Sequence, residues 1–224
     1  IGFTGSTPVG KLLMQQAAST VKKVGLELGG NAPFIVFDDA DLDAAVAGAL
    51  AAKFRNMGQT CVCTNRLFVQ EGIHDEFVAK FAGEVASMKV GNGVEVGVVQ
   101  GPLINARAVE KVERHVADAV AGGAKVVTGG KRHALGRSFF EPTVLSGVTT
   151  KMLVTREETF GPVAPVYSFK NEDEVVALAN DTPFGLAAYF YTRDLGRAFR
   201  VAEELEYGMV GINSAMLGTE VAPF

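Results

Sequence analysis

Short apolar runs alternate along this chain with segments in which apolar residues recur at helical spacing, and this alternation most constrains the fold. From Leu42 to Phe54, for example, apolar residues recur at i, i+3, i+4, i+7 and i+8. Strands are predicted at residues 1–4, 25–28, 33–37, 66–70, 125–128, 163–169, 187–191 and 209–213. Helices are predicted at residues 9–17, 42–54, 77–88, 109–120, 171–179 and 195–205. The order predicts an α/β fold with a mostly parallel sheet flanked by helices.

Capping residues support several of these helix boundaries. Ser6 and Asp41 each precede a predicted helix and are typical N-cap residues. Asn171 followed by Glu174 resembles a capping box. Gly122-Gly123 is expected to end the helix before it.

Composition and charge exclude several classes of protein. The chain has 21 Lys and Arg against 25 Asp and Glu, a net charge of −4, which argues against a nucleic-acid groove. The longest uncharged apolar run, residues 44–52, is too short to cross a bilayer, so no membrane contact is expected. Two cysteines exclude a disulfide scaffold and predict a reducing, cytoplasmic location. Because the three histidines are scattered, no metal site is predicted.

The ends of the chain predict that it is a piece of a longer protein. It opens at Ile1, without a methionine, on what is expected to be the end of a strand. It closes on apolar residues at Phe224. We therefore expect one compact core together with part of a neighbouring domain.

The turn at Gly5-Ser6 is the first candidate binding site. A strand, a glycine turn and a capped helix leave free N–H groups and a positive dipole end, which suit a phosphate. The motif has neither the three glycines of a dinucleotide fingerprint nor a P-loop. An ordinary strand–helix turn is the alternative interpretation.

Glu27 is an acidic residue among apolar ones at the end of a predicted strand. If the side chain is buried, its pKa is raised and it can serve as a general base. If it faces solvent, it is an ordinary surface carboxylate.

Cys61 and Cys63 lie in a polar, glycine-containing loop after a helix. Two buried thiols without chemistry are one interpretation. A nucleophile is the other, and a nucleophilic Cys61 is expected to have a lowered pKa. Composition does not decide between them.

Three further residues have both a structural and a functional interpretation. Arg55 either caps the last carbonyls of its helix or offers a guanidinium to a carboxylate near Cys61. Glu158 and Phe160 either form a turn before a strand or belong to a site.

Taken together, the motifs resemble those of the aldehyde dehydrogenase superfamily along the whole chain. Four of them match its signatures in order: Phe3-Thr4-Gly5-Ser6, Glu27-Leu28-Gly29-Gly30, Gly58-Gln59-Thr60-Cys61 and Glu158-Thr159-Phe160-Gly161-Pro162. The closing Pro223-Phe224 resembles the start of its Pro-Phe-Gly-Gly element. Other segments resemble the branch that oxidises succinate semialdehyde: Phe54-Arg55-Asn56, Cys61-Val62-Cys63, residues 206–213 and residues 220–224.

The resemblance implies a catalytic role for two of these residues. Cys61 is expected to attack the aldehyde, forming a thiohemiacetal that becomes a thioester after hydride transfer to the nicotinamide. Glu27 is expected to activate the water that hydrolyses the thioester. The backbone N–H of Cys61 is expected to donate to the oxyanion.

The resemblance also implies binding roles. Gly5 and Ser6 would lie by the pyrophosphate of NAD or NADP, and Leu28 would line the nicotinamide pocket. Glu158 would hold the nicotinamide ribose, with Phe160 packed beside it. Arg55 would pair with the distal carboxylate of the semialdehyde.

The same resemblance divides the chain into two parts. Residues 1–28 are expected to be the last strand–helix unit of a Rossmann-like cofactor domain, and residues 29–224 a catalytic domain truncated at its C-terminus. The whole protein is expected to be a homo-oligomeric enzyme. Oxidation of another short acid semialdehyde, such as glutarate semialdehyde, is an alternative, as are a thiol esterase and a non-catalytic binding fragment.

Cys63 has a redox interpretation of its own. Residues i and i+2 of an extended segment face the same side, with Cα atoms about 6.6 Å apart, near the upper limit for a disulfide. Cys63 would then capture an oxidised Cys61 and protect it. A small buried hydrophobe is the alternative.

Overall fold

A computed structural model of the chain describes residues 1–218 and 221. Their strands are β1 (Gly2–Thr4), β2 (Gly25–Glu27), β3 (Ala32–Val36), β4 (Thr64–Gln70), β5 (Lys125–Thr128), β6 (Thr143–Ser146), β7 (Val163–Phe169), β8 (Ala187–Tyr191) and β9 (Met209–Ile212). Their α-helices are α1 (Thr7–Ala18), α2 (Leu42–Phe54), α3 (His74–Ser87), α4 (Ala106–Ala121), α5 (Leu153–Arg156), α6 (Glu172–Asn180) and α7 (Leu195–Glu204). Short 3-10 turns span Arg55–Gly58 and Glu71–Ile73.

The strands form two sheets. The larger has seven strands in the order β5-β6-β7-β4-β3-β8-β9, and every neighbouring pair is parallel except β5 with β6. The smaller pairs β1 with β2, also in parallel. The predicted α/β fold with a mostly parallel sheet is therefore confirmed.

Helices cover both faces of the larger sheet. Ile35 and Phe37 face one apolar cluster, which holds the buried valines of α4, α6 and α7. Phe34 and Val36 face the other, built with α2 and α3. Because both faces are buried, β3 is apolar and buried at every position instead of alternating.

Local signals predicted most helix boundaries correctly. The side chains of Asp41 and Asn171 accept the backbone N–H of Ala44 and Glu174, as N-caps do. Gly122 and Gly123 end α4, with Gly123 at a φ of +101°. Ser6 occupies the N-cap position of α1, as predicted, although its side chain forms no capping bond.

Two elements were not predicted from the sequence. β6 and α5 are four residues each, too short to display a hydrophobic period. β6 exists because β5 and β7 pair with its two edges. Pro223-Phe224 lies outside the described residues, as does most of the segment 219–224. No described helix is long and apolar enough to cross a membrane.

Candidate active site

One cavity, of about 610 Å³, lies where β1 and β2 end and where the loops leading into β3, β4 and β7 meet. It gathers seven of the nine residues selected from the sequence: Gly5, Ser6, Glu27, Leu28, Cys61, Glu158 and Phe160. Arg55 and Cys63 lie outside its lining. Among these seven, Gly5 and Phe160 are 155 positions apart in the sequence, yet both line the same cleft.

Cys61 is held in a tight turn at the edge of the cavity. The N–H of Cys63 donates to the carbonyl of Thr60 over 3.1 Å and closes this turn. Behind it, a Cβ on Gly30 would overlap the carbonyl oxygen of Cys61, so only glycine fits there. Gly58, at a φ of +70°, likewise lies against the carbonyl of Gly161.

The environment of Cys61 raises the pKa of its thiol. The residue is half-buried, and burial raises its pKa. Its own backbone N–H and that of Val62 act in the opposite direction, while the charges of Glu27 and Glu158 raise the pKa further. The expected lowering was wrong because two carboxylates and a desolvated position outweigh the two amide dipoles.

Glu27 ends β2 and its side chain is exposed at the cavity. Of the two interpretations, burial or a solvent-facing carboxylate, the structure has the second. The Glu27 carbonyl accepts the N–H of Gly5 over 2.9 Å. This bond fixes the turn into α1 beside the carboxylate.

The carboxylate of Glu158 is anchored on the glycine pair after β2. Its Oε1 accepts the N–H of Gly30 over 2.9 Å, and a Cβ on Gly29 would lie only 2.7 Å from Oε2. Burial raises the pKa of Glu158, and the bond from Gly30 partly offsets this. The Gly29-Gly30 loop thus contacts both the Glu158 carboxylate and the backbone carbonyl of Cys61.

The start of α1 faces the cavity through Gly5 and Ser6. Since the Ser6 hydroxyl makes no capping bond, the first N–H groups of the helix keep their capacity for an anion. Gly10 of α1 packs so closely on Leu28 that a Cβ there would lie 2.6 Å from its Cδ2. This contact fixes Leu28 at the wall of the cavity.

Arg107 and Lys111 of α4 also line the cavity, and they were not selected from the sequence. They are four residues apart, on one face of the helix. Arg107 lies in the first turn, where the helix dipole disfavours a cation. An arginine in the first turn of a helix is therefore the sequence signal that could have indicated a binding role for Arg107.

Arg55 follows α2 and is exposed. Its Nη1 lies 3.7 Å from Sδ of Met216, and the structure assigns it no bond to the last carbonyls of α2 within the described residues. Its charge lowers the pKa of Tyr189, which burial raises more strongly. The Tyr189 hydroxyl donates to the carbonyl of Val62, the neighbour of Cys61, over 2.8 Å. Since the charge of Arg55 acts on Tyr189, Arg55 lies on the side of the fold that carries Cys61.

Cys63 is fully buried and points away from the cavity. Its Sγ donates to the carbonyl of Lys53 over 2.9 Å. The extended geometry expected for residues 61–63 was wrong, because they belong to the turn after Thr60. Lys53 is itself buried, a position that lowers its pKa, and its Nζ donates to Oδ1 of Asn65 over 3.1 Å. Sequence reasoning missed this buried lysine.

Within residues 1–218 and 221, no group of three His, Cys, Asp or Glu side chains is arranged to hold a metal ion. The groups that line the cleft are a thiol, carboxylates, backbone amides and the two cations Arg107 and Lys111.

The fold and the cleft define a class: an α/β protein in which a cysteine loop and two carboxylates line one cavity of about 610 Å³. The chain belongs to the aldehyde dehydrogenase family, whose model matches residues 1–224.

Several proteins similar to this chain are named as semialdehyde dehydrogenases. Glutarate-semialdehyde dehydrogenase of Pseudomonas aeruginosa is 66% identical over 99% of this chain. The succinate-semialdehyde dehydrogenase [NADP(+)] of Escherichia coli is 61% identical over all of it. The crystal structure of succinate-semialdehyde dehydrogenase from Burkholderia pseudomallei superposes on all of it with a TM-score of 0.98 at 67% identity.

The chain spans about half the length of these relatives. It covers 46% of the two curated proteins and 46% of the Burkholderia chain.

Proposed function

We propose that the full-length protein oxidises a short semialdehyde with an anionic far end, succinate semialdehyde first, to the acid, using NAD or NADP. The single observation that carries this is the common cavity of Cys61, Glu27 and Glu158. The family membership and the semialdehyde relatives support it.

The residues of the cavity fit a nicotinamide dinucleotide. The uncapped start of α1 and the cations Arg107 and Lys111 suit a pyrophosphate. Glu158 has one oxygen occupied by the N–H of Gly30 and a second with which to accept ribose hydroxyls. Leu28 and Phe160 supply apolar walls. When bound, the nicotinamide accepts a hydride.

The first task of this chain is to make a thiolate. The cavity beside Cys61 is open to solvent at the exposed Glu27, so the thiol releases its proton to bulk water. The thiolate then attacks the aldehyde carbon, and the new oxyanion accepts the backbone N–H of Cys61.

The second task is deacylation. After the hydride has left, the acyl group is a thioester on Cys61. Glu27 takes a proton from a water, the hydroxide adds to the thioester carbon, and the acid leaves as the thiol reforms. The exposure of Glu27 gives it access to that water.

Arg55 supplies the substrate specificity. Its guanidinium is exposed and forms no ion pair among the described residues. A bidentate bond to a distal carboxylate satisfies it. Glutarate semialdehyde is the second candidate, favoured by the relative with 66% identity.

Two broader assignments follow from this proposal. The separate β1-β2 sheet supports residues 1–28 as the end of a cofactor domain and residues 29–224 as the catalytic domain. A homo-oligomer and a cytoplasmic location stay predictions, to be tested by sedimentation velocity and cell fractionation.

The deciding experiment follows reduced-cofactor absorbance with succinate and glutarate semialdehydes, using the full-length protein. We expect turnover, its loss in Cys61→Ala and its retention in Cys63→Ala. Hydrolysis of thiol-reactive esters without any cofactor reduction would assign the cleft to an esterase instead.

A further inference from the structure

The strongest feature that the proposed mechanism leaves unused is a buried histidine behind the Glu158 loop. His115 lies on α4 and has no exposed surface. Its Nδ1 lies 3.1 Å from Oγ1 of Thr159, and its Nε2 lies 3.1 Å from Oε2 of Glu157. One ring therefore holds the two residues that flank Glu158.

We propose that His115 is a positioning residue for the cofactor, because it clamps residues 157 and 159 to α4 and thereby turns Glu158 and Phe160 into the cavity. The inference rests on the proposed cofactor roles of those two residues. It adds a residue that touches neither cofactor nor substrate.

The alternation of the loop supports this geometry. Glu157 has an extended backbone, at a φ of −111° and a ψ of 142°. Successive side chains of an extended segment point to opposite sides, so 157 and 159 face α4 while 158 and 160 face the cavity. All three residues touch the cleft, but Thr159 is buried, whereas Glu158 is half-buried and Phe160 is exposed.

The backbone of the loop 157–160 is strained at Phe160, and contacts with α4 are needed to hold it in this conformation. Phe160 has a φ of +52°, a strained conformation for a non-glycine residue that persists only when its surroundings enforce it. Next to it, a Cβ on Gly161 would overlap Val112, one turn from His115 on α4. The loop is thus pinned to α4 on both sides of Phe160.

The hydrogen bonds also determine which ring nitrogen of His115 carries the proton. The Glu157 carboxylate only accepts, so Nε2–H donates to it and Nδ1 accepts the Thr159 hydroxyl. Burial lowers the pKa of His115, although Glu157 acts in the opposite direction. Arg114 Nη2 holds the same Glu157 oxygen over 2.7 Å, which steadies the acceptor.

The test uses the full-length enzyme and measures the Kd of the reduced cofactor, the KM of cofactor and semialdehyde, and the melting temperature. His115→Phe keeps the volume and removes both bonds. Thr159→Val is nearly isosteric and removes one. Val116→Ala, in the adjacent core position of α4, is the matched control.

We expect His115→Phe to weaken cofactor binding about tenfold, because the loop that carries Glu158 and Phe160 loses both of the ring's hydrogen bonds to it. Thr159→Val should weaken it less, and His115→Asn, which retains an amide near Thr159, should recover part of the loss. The semialdehyde KM and the rate of Cys61 alkylation should stay unchanged.

Two results overturn the inference. One is that His115→Phe and Thr159→Val affect cofactor binding no more than Val116→Ala does. The other is that His115→Phe raises the KM of semialdehyde and cofactor equally, as a general loss of packing would. Glu158→Ala separates the two proposals: if it leaves cofactor binding unchanged, the proposed cofactor site itself is wrong.

Discussion

Gly30 packs directly against the carbonyl oxygen of Cys61, and its own N–H donates to Glu158 over 2.9 Å. One residue without a side chain thus joins the cysteine loop to the proposed ribose-binding carboxylate. Any displacement of Gly30 moves both groups.

Gly30→Ala is the sharpest test of this junction. The added methyl group overlaps the Cys61 carbonyl, so we expect about 1–3 kcal/mol of lost stability and a fall in kcat of about a hundredfold. Gly83→Ala is the control, because its Cβ on the exposed side of α3 meets nothing within 4 Å. Normal turnover in Gly30→Ala would contradict the close packing.

Glu27→Gln should slow deacylation by about 10²–10⁴-fold, because the amide accepts no proton from water. Stopped-flow absorbance should then show a burst of reduced cofactor followed by slow turnover. Glu203→Gln, on the exposed face of α7, should behave as the wild type. Equal deacylation in Glu27→Gln and wild type would remove Glu27 from this role.

The thiol chemistry of Cys61 should depend on pH in a defined direction. Since its pKa is raised, chiefly by burial, the rate of iodoacetamide alkylation should still be rising above the pH at which a free cysteine titrates. Glu27→Gln removes a negative charge, lowers the pKa and should speed alkylation at pH 8. A midpoint below that of free cysteine would show that the amide dipoles dominate.

Arg55→Ala should raise the KM for succinate semialdehyde about 10- to 100-fold, the loss expected for a charge-assisted hydrogen bond. An uncharged aldehyde of the same length should be affected much less. Arg55→Lys keeps the charge without the planar fork and should give an intermediate KM. Equal losses for both aldehydes would leave Arg55 without a role in substrate recognition.

The redox role of Cys63 stays a prediction, and in this structure it requires a local change of conformation. The turn at Cys61 has to open before the buried Cys63 thiol leaves the Lys53 carbonyl and reaches its neighbour. Peroxide followed by dithiothreitol should then abolish and restore activity in the wild type. In Cys63→Ser, the loss should be permanent, and a full recovery there would exclude the protective role.

The sequence by itself determined every strand and helix except β6 and α5, the caps at Asp41 and Asn171, and the motif residues that share the cavity. Periodicity and capping are interactions between residues three or four apart, so they can be recognised along the chain. Only the tertiary structure decided the raised pKa of Cys61, the outward turn of Glu27, the buried Cys63, and the contributions of Arg107, Lys111 and His115. Those properties depend on burial, charge and contact between segments far apart in the chain, such as Gly30 with Cys61 or His115 with Thr159, and no local pattern encodes such distances.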